Sequence, residues 1–234
     1  MFETITRRFQ LKFKDRVAAG TVLAEILKER VKKEEQGILV LGVPRGGVLT
    51  ADSVARRLSK KAFKSVDFDL ILPRKLTDID NKEQAIGAIM EDGTTYLDEE
   101  LISMLQITPE YLEKEKEEQI EGIRRRNILY STYMPINQYA HLQNKTVILV
   151  DDGAATGSTL IAAARWLRMK HTPKRLVIAV PVAPKHTVKL LEHESDEVHV
   201  VISTCSFRSV EQFYHDFEQV PDDRVIEILR NRLY

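Results

Sequence analysis

Five short runs of mostly apolar residues punctuate this chain: Ile38-Leu39-Val40-Leu41-Gly42, residues 66–72, Val147-Ile148-Leu149-Val150, residues 175–181 and residues 197–203. Between them apolar residues recur at helical spacing, as in Ala19, Val22, Leu23, Ile26 and Leu27 after Asp15, Val48, Ala51, Val54, Ala55 and Leu58, and Leu160, Ile161, Ala164 and Leu167. Residues 184–194 and the final set Val225, Ile226, Leu229 and Leu233 continue the alternation. A run too short for a helix and apolar on both faces is a strand covered from both sides, which needs a parallel sheet between helices. The expected fold is therefore α/β, a doubly wound, mainly parallel five-stranded sheet with strands beginning near residues 38, 66, 146, 176 and 197. In the spatial order 2-1-3-4-5, a crevice opens between the first and third strands.

One stretch breaks the alternation. Residues 85–90 and 94–97, separated by Glu91-Asp92-Gly93, predict a hairpin, and Asp98 caps a short helix running through Leu105. Thr108-Pro109 then gives an N-cap with proline at the first helical position, launching a long charged helix to about Tyr130. The chain is read as a single domain over residues 1–234, carrying this hairpin-plus-helical insertion at about 76–140 and a C-terminal helix. The Glu/Lys runs and Arg124-Arg125-Arg126 are mostly a solvated face; binding of phosphate or a partner subunit is the second reading of the triple arginine. Asp15 caps the first helix, with Gly37 as its stop, and residues 2–13 carry no assigned function.

Composition narrows the classes. Lys+Arg and Asp+Glu are both 35 in 234 residues, so no net basic charge points to a nucleic-acid partner, although a local basic patch stays open. No apolar run reaches membrane-spanning length and the first residues lack a secretory apolar core, which makes cytoplasmic the expected location. The single cysteine, Cys205, has no Cys or His neighbour at metal-ligand spacing, and His186 and His193 stand seven apart without a useful carboxylate.

Candidate chemistry concentrates after three of the strands. The third is followed by Asp151-Asp152-Gly153-Ala154-Ala155-Thr156-Gly157-Ser158-Thr159, two carboxylates and then small residues that open a helix. Small residues let a backbone wrap an anion, and a helix start offers N–H groups and a positive dipole end. Thr156, Ser158 and Thr159 add hydroxyls, while the acids would repel a phosphate in the same cradle, so they suit a sugar diol beside it. The spacing of Gly153 and Gly157 excludes the two common nucleotide-binding glycine patterns. After the first strand, Val43-Pro44-Arg45-Gly46-Gly47 reads either as a second anion loop or as a tight strand–helix turn. The second strand ends in Pro73-Arg74-Lys75, two cations that folding does not require, with Lys82 further along the polar stretch that follows. Phe207 and Phe213, past the last strand, could stack on a flat ring or simply pack against the final helix.

The segment from residue 146 to 159, apolar strand, two acids, three variable residues and Thr-Gly-x-Thr, resembles the signature of type I phosphoribosyltransferases. That resemblance implies that residues 155–159 hold a ribose phosphate, with Gly153 and Ala154 shaping the loop, and that Asp151 and Asp152 hold the ribose hydroxyls. It implies that Pro44, Arg45, Gly46 and Gly47, often through a strained peptide in that loop, hold pyrophosphate together with Arg74 and Lys75, a pair that begins a mobile hood loop. Arg45, Lys75, Asp151 and Asp152 are the catalytic candidates. Mg²⁺ would arrive through substrate and water, with Asp151 and Asp152 as candidate contacts and no direct protein cage. The implied partners are phosphoribosyl pyrophosphate and an unidentified nitrogenous acceptor, and a homodimer is left open.

The hypoxanthine–guanine enzymes of that family carry a third acid where this chain has Ala155, which argues against those bases. From about Phe13 to the C-terminus, including Gln212-Phe213-Tyr214 and Asp216-Phe217, the chain is similar to a bacterial and archaeal group of the family whose acceptor is not established. Two other classes compete with a transferase: a regulator that senses phosphoribosyl pyrophosphate without turnover, and a hydrolase on a similar sheet.

Overall fold

The computed structural model describes residues 12–31, 37–61, 65–133, 139 and 142–232. In chain order these form α1 (Arg16–Arg30), β1 (Ile38–Gly42), α2 (Gly46–Lys61), β2 (Val66–Leu70), β3 (Arg74–Thr77), β4 (Ala85–Ile89), β5 (Thr95–Leu97), α3 (Glu99–Met104) and α4 (Pro109–Ser131). There follow β6 (Thr146–Val150), α5 (Ser158–Lys170), β7 (Arg175–Pro184), α6 (Lys185–Glu194), β8 (Glu197–Thr204) and α7 (Asp222–Arg230). The sequence reading of residues 2–11 and of Leu233 falls outside the described residues.

Five strands pair in the order β2-β1-β6-β7-β8, parallel throughout, the order that opens a crevice between the first and third of them in sequence. Alternation sorts their side chains to two faces. Ile38, Val40, Ile148 and Val150 meet α1, α2 and α7 through Leu23, Leu27, Val54, Leu58, Val225 and Leu229. Leu39, Leu41, Val147 and Leu149 meet α5 and α6 through Leu160, Ile161, Leu167 and Leu191. Each of these side chains is nearly inaccessible, so the apolar runs are continuous because both faces are covered.

The insertion builds a sheet of its own. β3, β4 and β5 are antiparallel, with Gly93 at φ 88° in the β4–β5 turn. Leu76, Ile86 and Ile89 pack against Ile123 of α4. The predicted caps are present: the N–H groups of Ala18, Leu101 and Tyr111 donate to Asp15, Asp98 and Thr108 at 2.7, 3.0 and 3.2 Å.

Four local expectations change. α1 ends at Arg30 with Val31 as its cap, not at Gly37, and its buried face uses Ala19, Leu23, Ala24 and Leu27 while Val22 is 41% exposed. β2 stops at Leu70, and Arg74-Lys75-Leu76 is the strand β3 instead of the start of a loop, because β4 supplies it with an antiparallel ladder. β7 continues past residue 181 to Pro184, in register with β8. Glu115 of α4 is only 2% exposed, an exception to the solvated face. No helix among the described residues is long and apolar enough to cross a membrane.

Candidate functional site

Register brings the two glycine-bearing loops together. Gly42 of β1 lies opposite Val150 of β6, and the Val43 N–H donates to the Val150 carbonyl at 3.0 Å, so both chains leave the sheet side by side. This is the point where strand order reverses and where open α/β sheets bind ligands. The Pro44–Arg45 peptide is cis. A Cβ on Gly46 would collide with Asp152 Oδ2, and one on Gly47 would stand 2.5 Å from Asp151 Oδ1. The two glycines therefore let the first loop close on the acids of the second, where the sequence suggested only an approach to ligand.

The second loop is fixed from below. The Ala154 N–H donates to Val182 in the extension of β7 at 2.9 Å, and the Thr187 hydroxyl donates to the Ala155 carbonyl at 2.7 Å. Gly157 stands at φ 76°, a left-handed conformation that suits glycine, and precedes α5 as its N-cap. The hydroxyls of Thr156 and Ser158 lie 2.9 Å apart. Ala155 and Thr156 are exposed, Thr159 is half-buried, and Ser158 is buried at the first position of α5. Small residues, the neighbouring hydroxyls of Thr156 and Ser158 and the start of a 13-residue helix thus gather in one loop, a combination suited to a phosphate.

The two acids differ sharply in company. Asp152 accepts from Arg16 Nε at 2.6 Å, and Arg16 also donates to the Glu218 carbonyl at 2.9 Å while its guanidinium lies 3.7 Å from the Phe217 ring centroid. The Tyr214 hydroxyl donates to the Asp152 carbonyl at 2.6 Å. Asp151 accepts the Asp152 N–H at 2.8 Å, and its carboxyl is held well above the usual range, by burial first and by the Asp152 charge second. The Asp152 N–H and the Lys75 charge pull it back only in part. Arg16 and Tyr214 carry no motif of their own; the one sequence hint of the latter was its place in the Gln212-Phe213-Tyr214 stretch.

The basic pair divides because neighbours on a strand point to opposite faces. Lys75 is exposed and acts on Asp151. Arg74 turns to α4, where Nε donates to Gln119 Oε1 at 2.6 Å and the guanidinium lies over Gly122, whose added Cβ would be 2.8 Å from Nη1. Arg45 Nη1 stands 3.7 Å from Asp222 Oδ2. Lys82 donates to the Tyr111 hydroxyl at 3.0 Å and lies 3.8 Å from Glu115, a contact that braces the inserted sheet. Phe213 is 6% exposed, packed with Phe13 and Tyr214, and Phe207 leans on it at 5.3 Å between centroids. Phe213 is thus part of a small core cluster, and Phe207 is half-buried against it.

Among the described residues no group of three or more His, Cys, Asp or Glu is placed to hold a metal. With Asp152 engaged by Arg16, the carboxylate that could meet a substrate-borne divalent cation is that of Asp151.

Comparison with known proteins places these features in context. A family model described as a phosphoribosyl transferase domain matches residues 12–218. A Mycobacterium tuberculosis protein provisionally named a phosphoribosyl transferase is, in each of two strains, 32% identical over 217 residues, covering 93% of this chain and 46% of that one. The chain thus spans about half the length of the curated relatives it matches. The crystal structure of TT1426 from Thermus thermophilus is 36% identical, covers 94% of this chain and 98% of its own, and superposes with a TM-score of 0.71.

Proposed function

The chain belongs to the phosphoribosyl transferase domain family, and from that premise we propose that it transfers the phosphoribosyl group of phosphoribosyl pyrophosphate to a nitrogen heterocycle, releasing pyrophosphate. The observation that carries this reading is the apposition of the two loops at the β1/β6 switch point. Residues 155–159 would take the 5-phosphate, Asp151 the ribose hydroxyls, and Arg45 and Lys75 the pyrophosphate. The inserted sheet with α3 and α4 would form the hood over the acceptor.

In the reaction the bond from the ribose anomeric carbon to pyrophosphate breaks as a bond from a ring nitrogen forms. The ring passes through a cationic, oxocarbenium-like state. No covalent nucleophile is required of the protein. Its residues hold the reactants in line and offset the negative charge that accumulates on the leaving group. Arg45 suits that last role, being permanently charged and planar. Asp151 would be the carboxylate offered to Mg²⁺ arriving with the substrate, and the ion would supply charge neutralisation at the pyrophosphate.

Incubation with phosphoribosyl pyrophosphate, Mg²⁺ and a panel of purines, pyrimidines and other nitrogen heterocycles should release pyrophosphate with at least one acceptor. Binding without release for every acceptor would replace the transferase by a ligand-sensing protein. The engagement of Asp152 by Arg16 favours that second reading, because one of the two acids is already neutralised. Release of inorganic phosphate without an acceptor would instead indicate a hydrolase.

A further inference from the structure

Above the loop of residues 44–47, the inserted helix and the C-terminal helix meet in a cluster of charge that the family signature does not contain. Asp222, in the first turn of α7, lies 3.7 Å from Arg45 Nη1 and 3.8 Å from Arg126 Nε of α4. Its Oδ1 also accepts a hydrogen bond from the hydroxyl of Tyr130, whose ring is fully buried. Arg74 flanks the group, and its guanidinium is held below the usual arginine range by burial, then by the charges of Arg126 and Arg125, with a partial upward pull from Glu115 and a weaker downward one from Arg45.

Four guanidinium groups thus share one neighbourhood in a chain with no formal net charge. Crowding like charges is unfavourable and needs an anion to offset it. Glu115 is committed to Thr77 and Gln119, which leaves Asp222, among the described residues, as the carboxylate facing both Arg45 and Arg126. Yet neither arginine reaches it within hydrogen-bond distance, so the contact consumes none of their N–H groups. A phosphate oxygen could meet both guanidinium groups in planar, charge-assisted pairs that this carboxylate does not make.

We propose that Arg126 joins Arg45 in the pyrophosphate subsite, and that Asp222 is a resident anion which an incoming pyrophosphate group replaces. This rests on the transferase reading for the identity of the anion. It gives the inserted helix a part in binding the leaving group, and it ties release of the α7 start to ligand arrival.

The test is calorimetric titration of the protein with inorganic pyrophosphate and Mg²⁺, and separately with ribose 5-phosphate, for wild type, Asp222→Asn, Arg126→Gln and Arg126→Lys. Asp222→Asn is expected to tighten pyrophosphate binding roughly 3- to 10-fold, since it removes a competing charge worth on the order of one surface ion pair. Arg126→Gln is expected to weaken it on the order of 10-fold or more, with Arg126→Lys between, while ribose 5-phosphate binds all four alike. Thermal melting of each variant shows that it is folded. Unchanged or weaker pyrophosphate binding in Asp222→Asn, or wild-type binding in folded Arg126→Gln, overturns the proposal and leaves the transferase reading standing. Failure of every form to bind pyrophosphate, with ribose 5-phosphate still bound, overturns the resident-anion proposal alone. Failure with both ligands overturns the parent reading as well.

Discussion

The parallel sheet and the inserted antiparallel sheet are held by different physics. In the parallel sheet the side chains of β1 and β6 are apolar on both faces and strand position follows from burial. In the inserted sheet one buried carboxylate, Glu115, binds the N–H and hydroxyl of Thr77 at 3.0 and 2.9 Å and Gln119 at 3.2 Å. Gln119 in turn holds Arg74. The first arrangement spreads its stability over many apolar contacts, whereas the second adds a few directional bonds to the small apolar cluster of Leu76, Ile86, Ile89 and Ile123. The candidate site belongs to both: its loops are placed by the parallel sheet, but Asp152 is fixed by the same kind of buried polar contact that organises the insertion.

The largest test concerns that shared character. Arg16→Met should cost about 3–5 kcal/mol in chemical denaturation, because it strands a largely buried carboxylate at Asp152. Adding Asp152→Asn should restore part of that loss. A cost near that of a surface ion pair would mean that the parallel sheet alone positions the acids. Next in size, Glu115→Ala should cost about 2 kcal/mol, since Thr77 loses a charged acceptor. Hydrogen exchange should then rise in β3 and β4 while β1 and β6 stay protected. Equal loss in both sheets would make them one cooperative unit.

Smaller effects separate the neighbours on β3. Lys75→Ala should weaken binding of phosphoribosyl pyrophosphate roughly tenfold with little change in melting temperature, the loss of one charge-assisted contact. Arg74→Ala should do the reverse, lowering stability by about 1 kcal/mol through Gln119. The same response to both would return the pair to a mobile loop.

A pH-dependent effect stands apart from these in β2, where burial pushes the Asp69 carboxyl up to about 7, against a weaker pull from the Leu70 N–H. The folded state then holds this proton more tightly than the unfolded state does. The contribution to stability is greatest below the ordinary carboxylate range and falls as pH rises toward about 7, then levels off. Asp69→Asn should therefore reduce the fall in melting temperature between about pH 5 and about pH 8. An unaltered slope would place the titration elsewhere.

Periodicity reads best where burial is two-sided. The five strands and the helices carrying Val48 to Leu58 and Leu160 to Leu167 were legible because their apolar spacing is local, whereas their spatial order, a matter of long-range pairing, entered only as the arrangement that would open a crevice. The caps at Asp15, Asp98 and Thr108 were legible for the same reason, each bonding three residues ahead. The acid pair and its small-residue loop stood out as a motif. Arg16 did not, because its partner Asp152 lies 136 residues away, and neither did the separation of Arg74 from Lys75, which depends on β4 and α4. Gly46 and Gly47 were noticed for the close backbone approach they permit, while the neighbours that approach meets, Asp152 and Asp151, were not foreseen.

The clamp on Asp152 joins distant parts of the chain. Phe13 and Lys14 bond to Phe213, His215 and Asp216 across a bridge that seats Arg16 and Tyr214 on the acid. Synthesis runs from one to the other, so both glycine-bearing loops leave the ribosome well before the segment that completes the clamp. A nascent chain can assemble β1, β6 and their helices, yet its acid pair stays unset until residues 214–218 return to the beginning of α1. Setting of the acid pair is thereby a late event in the synthesis of this fold, with α7 still to follow.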